Sequence, residues 1–243
     1  MKPPAVGEVH VWAVAADGAT DAAALAELSP DERRRHAGLR HAPDRELYAV
    51  AHSALRRHLA AYAGCLPGDL EIGARRGGKP FVAGPPAAVP LRFSLSHADG
   101  LALLAFGVEH DVGVDVERLR PVPEVEDVGR AVFTDGELAE LRATPAPARC
   151  RAFLERWTRK EAVVKALGDG LAAMSSFAVT RGPGEEIGRL ARPGGPGPGS
   201  WRVRSVAVDP AYAAAIAVAG EPPARLEVRV RRSSLHRPGT LAG

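Results

Sequence analysis

A mixed fold of helices and strands is what this sequence predicts, and three patterns predict it. Val112-Gly113-Val114-Asp115-Val116-Glu117 alternates apolar and non-apolar residues with period two, the pattern of a half-buried strand. About forty residues on, Trp157-Thr158-Arg159-Lys160-Glu161-Ala162-Val163-Val164-Lys165 has period 3.6, and Phe153, Trp157, Val164 and Leu167 fall in one apolar stripe. Shorter runs of both kinds, punctuated by glycine and proline, follow one another over most of the remaining chain.

In order, Val9, Val11 and Ala13 alternate with His10 and Trp12 and predict a first strand, followed by an alanine-rich helix over 22–28. Ser29-Pro30-Asp31-Glu32 supplies an N-cap, a proline at the first helical position and early acids, so a helix starts there. Behind it stand Arg33, Arg34, Arg35, Arg40 and Arg45, which read equally as a solvated face or as an anion-binding patch. A helix over 48–63 ends near Gly64, a strand follows at 70–72, and Gly77-Gly78-Lys79-Pro80 is a turn whose bare amides beside a lysine suit a phosphate, although the residues alone read first as a tight hairpin turn. Leu91, Phe93 and Leu95 alternate with Arg92, Ser94 and Ser96, which leaves His97 at a strand end. The strand over 101–108 is expected to pair, through the turn Glu109-His110-Asp111, with the strand that carries Asp115. Pro121-Val122-Pro123 connects to short helices at 128–133 and 135–141, then to the long helix from about residue 149 to Gly168. Strands are predicted at 176–181, 201–208 and 212–219, with a glycine-proline loop at 193–199. The segment 221–243 reads as a tail in which only Leu226, Val228 and Val230 alternate as an edge strand would.

A chain of 243 residues with 46% apolar content can bury a sizeable core as one large domain or two small ones. Its net charge of +3 and pI near 9.1 suit anionic ligands or acidic partners and are too small to demand nucleic acid. Cys65 and Cys150 lie in unlike contexts, which argues against a disulfide framework or a zinc site. The apolar run over 9–16 is too short and wrongly flanked for a signal peptide, and no run reaches membrane-spanning length, so a cytoplasmic protein is expected.

The chemistry lies in the two opening motifs. As a strand, 112–117 puts Gly113, Asp115 and Glu117 on one face, with the two carboxylates about 6–7 Å apart. As a helix, 157–165 puts Glu161 and Lys165 one turn apart at the edge of the apolar stripe, where a helix lines a cleft. Three carboxylates aimed at one place repel unless a cation joins them, and hard oxygen ligands select Mg²⁺ or Mn²⁺. Each motif alone reads more readily as a solvated face. Lys160 does not, because it lies inside the apolar stripe, where an ion pair in a cleft would account for it.

These residues resemble a known family. The strand Gly113 to Glu117, the helix Trp157 to Lys165, and in order before them Ser29-Pro30-Asp31-Glu32-Arg33, Gly78-Lys79-Pro80 and Phe93-Ser94-Leu95-Ser96-His97, are similar to the markers of 4′-phosphopantetheinyl transferases of the Sfp type. The resemblance spans about residues 8 to 218. It implies an α+β protein built as a pseudo-twofold pair of similar α/β halves, with the active site in the cleft between them. The halves are placed at 1–118, on the coenzyme A 3′-phosphate and adenine side, and 119–220, with the catalytic helix; 221–243 is the tail. The resemblance also implies transfer of 4′-phosphopantetheine from coenzyme A to a serine hydroxyl of an acyl or peptidyl carrier protein, with release of adenosine 3′,5′-bisphosphate. Asp115, Glu117 and Glu161 would hold Mg²⁺ or Mn²⁺. Arg35, Lys79, Ser96, His97 and Lys165 would bind coenzyme A, and Glu161, Lys165 and His97 would act in the reaction. Glu137 stands where relatives place a further acid near the metal, although a helix N-terminus explains it equally. Ser94 and Tyr48 depart from the family's usual asparagine and threonine.

Two rival readings stay open. One is a coenzyme A or nucleotide-binding module without turnover. The other is a Mg²⁺-dependent nuclease, disfavoured because its Glu and Lys belong two apart on a strand, whereas here they are four apart on a helix. No nucleic acid or membrane partner is expected, and two fused halves predict a monomer. The acceptor could belong to fatty-acid, polyketide or nonribosomal-peptide synthesis.

Overall fold

In this computed structural model, which describes residues 1–16, 22–75, 77–84, 90–168, 170–180, 187–191, 201–220 and 227–232, two sheets pack face to face and a long helix covers the outer side of each. The chain runs β1 (Glu8–Ala15), α1 (Ala22–Glu27), α2 (Pro30–Gly38), α3 (Ala42–Ala63), β2 (Glu71–Ala74), β3 (Pro80–Gly84), β4 (Leu91–Ala98) and β5 (Leu101–Val108). It continues with β6 (Val112–Arg118), α4 (Val125–Val132), α5 (Asp135–Ala143), α6 (Ala146–Leu167), β7 (Ala178–Thr180), β8 (Ile187–Ala191), β9 (Arg202–Ser205), β10 (Tyr212–Val218) and β11 (Glu227–Arg232). One sheet has the order β11-β1-β5-β4, the other β6-β10-β9-β8-β7, and β2 and β3 form a separate hairpin.

The same order of parts occurs twice. A strand is followed by helices, the last of them 22 residues long, and then by strands of which the last returns antiparallel to the first, β5 to β1 and β10 to β6. The two long helices even share their ends: each has a proline in its first two positions and stops at a glycine in the left-handed region, Gly64 at φ 74° and Gly168 at φ 77°. This is the pseudo-twofold α+β arrangement that the resemblance implied.

Alternation decides the layers. On β6 the even-numbered apolar set, Val112, Val114 and Val116, joins Val9, Val11, Leu103 and Ile216 in the core between the sheets. Each such buried side chain contributes about 1.5–3 kcal/mol. On the outer faces, α3 buries Leu55 and Leu59 against Phe93, Leu104 and Phe106, and α6 buries Ala162, Val163 and Ala166 against Val203, Ala215 and Ala217. Gly113 is required by that second contact: a Cβ there would stand 1.9 Å from the Ala162 carbonyl oxygen and 2.7 Å from the Ala166 nitrogen. Two of the shorter helices, α2 and α5, start on capping boxes, Ser29 with Glu32 and Thr134 with Glu137.

Two expectations are corrected or refined. The turn after β5 does not close a hairpin with β6, because β1 and β4 already occupy both edges of β5; the chain passes to the other sheet, where β6 pairs with β10. The two sheets are thus joined by the turn between β5 and β6. The tail supplies β11, a strand parallel to β1 at the edge of the first sheet, as the alternation of Val228 and Val230 suggested. Leu226 and the glycine-proline loop at 193–199 lie outside the described residues. Among the described residues no helix is long and apolar enough to cross a membrane.

Candidate active site

The open edge of β6 builds the site. Since β6 ends its sheet, its outward N–H groups need partners, and two hydroxyls of β4 provide them: Ser94 Oγ accepts from Val114 N–H at 3.2 Å and Ser96 Oγ from Val116 N–H at 3.4 Å. Ser96 then donates to Asp115 Oδ1 at 2.8 Å, and Lys165 Nζ, from α6, donates to both Ser96 Oγ (2.8 Å) and Asp115 Oδ1 (2.6 Å). One turn back on α6, Glu161 Oε2 lies 3.4 Å from the same ammonium. Asp115, Glu117 and Glu161 each offer a carboxylate oxygen within 4.8 Å of the others. The period-two strand and the i,i+4 helix pair thus converge on one point.

The electrostatics of that point are unfavourable without a cation. Burial pushes the Asp115 carboxyl well above the usual carboxylate range; Lys165 opposes this, but Glu161 adds to it. Glu117 is raised by burial and then by Glu161. Burial works against the Lys165 ammonium, yet Asp115 and Glu161 outweigh it and its pKa rises. Asp115 Oδ2 is buried and accepts no hydrogen bond. An orphaned carboxylate oxygen, two further acids at ligand distance and an all-oxygen donor set fit a hard divalent cation such as Mg²⁺ or Mn²⁺.

Beside the acids a cleft of about 1100 Å³ opens between α2, α3, the β2–β3 hairpin and the end of α6, and its lining includes Arg33, Arg35, His52, Lys79 and Lys165. Lys165 is the residue common to the cleft and the acid group. Arg35 is exposed on the cleft wall. His97 stands at the end of β4, on the side of the strand that faces α3, open to solvent on one side; partial desolvation of its ring and then Lys165 lower its pKa. Lys79 lines the cleft but is only 7% exposed, and its ammonium donates to two carbonyls, Lys165 O at 2.8 Å and Val112 O at 3.1 Å. Burial brings its pKa down to about 8.

Two sequence readings change here. Glu137 is not in the acid group: its carboxylate accepts from Lys160 Nζ at 2.5 Å, from Val179 N–H at 3.1 Å and from Thr134 N–H at 3.0 Å. Lys160 is ion-paired as its place in the stripe required, yet fully buried and outside the cleft. Sequence reasoning missed the cleft's inner wall. There Glu32 accepts from Arg56 Nη1 at 3.3 Å and approaches His52 Nδ1 at 3.2 Å, and although burial alone would raise it, those contacts and the Ser29 N–H bring its pKa to about 2. The capping-box spacing marked Glu32 only as a helix-start residue.

With this geometry in place, the comparisons with known proteins are specific. A family model described as the 4′-phosphopantetheinyl transferase superfamily matches residues 111–217, the stretch that holds all three acids and Lys165. The chain is 31% identical over 225 residues to the 4′-phosphopantetheinyl transferase HetI of Nostoc, covering 90% of this chain and 92% of that one. It is 27% identical over 163 residues to a protein of Synechocystis named as a 4′-phosphopantetheinyl transferase, covering 67% and 66% respectively. With the 4′-phosphopantetheinyl transferase AcpT of Escherichia coli K12 it shares 42% identity over 92 residues, 37% of this chain and 45% of that one. By the near full-length match to HetI and the motif-bearing segment that the family model covers, this chain belongs to the 4′-phosphopantetheinyl transferase superfamily.

Proposed function

We propose that the protein transfers the 4′-phosphopantetheine group of coenzyme A to a serine hydroxyl of an acyl or peptidyl carrier protein and releases adenosine 3′,5′-bisphosphate. The observation that carries this reading is the meeting of Asp115, Glu117 and Glu161 within 4.8 Å, with Lys165 reaching from that group into a basic cleft. A site of this kind neutralises a diphosphate, and a phosphodiester breaks slowly until its charge is neutralised.

Asp115, Glu117 and Glu161 would hold Mg²⁺, with Mn²⁺ a substitute. A bound divalent ion supplies charge stabilisation on the diphosphate oxygens. Lys165 holds a diphosphate oxygen from the other side, with Ser96 fixing the ammonium. Arg35 on the cleft wall, and His97 at the end of β4 within the field of Lys165, contribute phosphate contacts. Glu161, directly or through a water, takes the proton of the acceptor serine as its oxygen bonds to the phosphorus nearest the pantetheine. The bond that breaks is the one from that phosphorus to the bridging oxygen, which leaves with the adenosine bisphosphate. The site contains the three acids that a binding module without turnover would not need.

The test is a mass-shift assay on apo carrier proteins with coenzyme A and Mg²⁺. The expected product is a carrier heavier by one phosphopantetheine. Asp115→Asn and Glu161→Gln should each lower the rate on the order of 10²-fold or more. Full activity of both variants contradicts the assignment.

A further inference from the structure

Lys79 is placed where it does something other than hold a phosphate. The turn Gly77-Gly78-Lys79 is closed by Arg75 N–H to Lys79 O (2.8 Å) and Gly78 N–H to Arg75 O (2.9 Å), with Gly77 and Gly78 at φ 91° and 84°. It is pressed against the end of α6. A Cβ on Gly77 would stand 2.1 Å from the Gly168 carbonyl oxygen, and one on Gly168 would stand 3.2 Å from Lys79 Cβ. From this contact the Lys79 ammonium donates to the Lys165 carbonyl and to the Val112 carbonyl.

Those two carbonyls belong to the two segments that make the site. Lys165 O is one of the last four helix carbonyls, which have no partner within the helix, and a cation there also complements the helix dipole. Val112 O opens the strand that carries Asp115 three residues later. An ammonium has three N–H groups, and two are committed. We infer that Lys79 is a positioning residue that clasps the end of α6 to the start of β6, and so sets the separation between Lys165 and Asp115 on which the transfer depends.

This rests on the proposed transfer, and its test separates the two. Lys79→Met keeps the buried stem and removes the donors. Steady-state transfer with coenzyme A and with dephospho-coenzyme A, which lacks the 3′-phosphate, is compared with wild type, together with hydrogen exchange of peptides over 160–168 in ligand-free protein. The expected result is a kcat reduced on the order of tenfold to 10²-fold by the same factor for both donors, a KM for coenzyme A within about threefold, and faster exchange at the end of α6. A raised KM for coenzyme A, a loss that vanishes with dephospho-coenzyme A, or unchanged exchange overturns the inference in favour of a phosphate contact. A lower Tm with unchanged kcat overturns it in favour of a purely structural role. If wild type transfers nothing from coenzyme A, the proposed function fails, while the exchange measurement still decides whether Lys79 clasps α6.

Discussion

At the residue scale, the polar groups sort by what burial leaves them. Asp115 is buried with one oxygen satisfied by Ser96 and Lys165 and the other unpartnered, a costly state for a residue whose only task is folding. His58 is the opposite case. It stacks on Trp12 at 4.2 Å beneath sheet one, and burial, followed by the nearby charges of Arg57 and His10, lowers its pKa to about 4. The folded state therefore binds fewer protons than the unfolded chain between pH 6.5 and 4, so stability is lost as pH falls through that window. His58→Phe should shrink the stability lost between pH 7 and pH 4 by about 3 kcal/mol, read from urea unfolding at the two pH values. Asp115, Glu117, Glu161 and Lys165 were legible in the sequence because each motif fixes which face its side chains share. Lys79 was half legible: its turn was visible, but the carbonyls it binds lie 33 and 86 residues away, and nothing local encodes them.

At the element scale, α6 is the part on which the site turns, and it is held on more than one side. Gly113 admits its backbone to β6, so Gly113→Ala, which forces a Cβ into the Ala162 carbonyl, should destabilise by about 3 kcal/mol or more and reduce transfer in the protein that remains folded. Unchanged thermal unfolding of that variant would mean that the helix can move away at little cost. Lys160 anchors the helix elsewhere, through Glu137 and the Phe177 carbonyl at 2.5 Å. Lys160→Met leaves a buried, uncompensated carboxylate and should cost about 3–5 kcal/mol, whereas Lys160→Met combined with Glu137→Met should cost less than the sum of the two single changes. Helix and strand periods showed where these elements run. They did not show strand partners: the β5-to-β6 turn looks like a hairpin from sequence, and only the occupied edges of β5 forbid it.

At the scale of the whole molecule, the duplication of parts places the site at a junction. The acids come from β6 and α6, the hydroxyl that orders them from β4, and the basic cleft mostly from the first half. A divalent cation bound by the three acids should therefore raise the unfolding temperature of the entire protein, by the equivalent of about 2.7 kcal/mol at a hundred times its dissociation constant. Calorimetry with and without Mg²⁺ checks this, and Asp115→Asn should abolish the gain. The general architecture was readable through the family resemblance, which implied two similar halves; alternation and helix period marked single elements and showed no repeat in the sequence. The angle at which the halves meet was not, since it depends on contacts between residues far apart in sequence.

Ser94 and Ser96 cover the one border of β6 that β10 leaves bare. Cut the chain in the turn between β5 and β6, and the severed C-terminal fragment would carry that border into solution with its amide hydrogens unclaimed. Such a fragment invites another copy to lie along it, so it should dimerise or form fibres, and mixing in the N-terminal fragment should suppress that self-association.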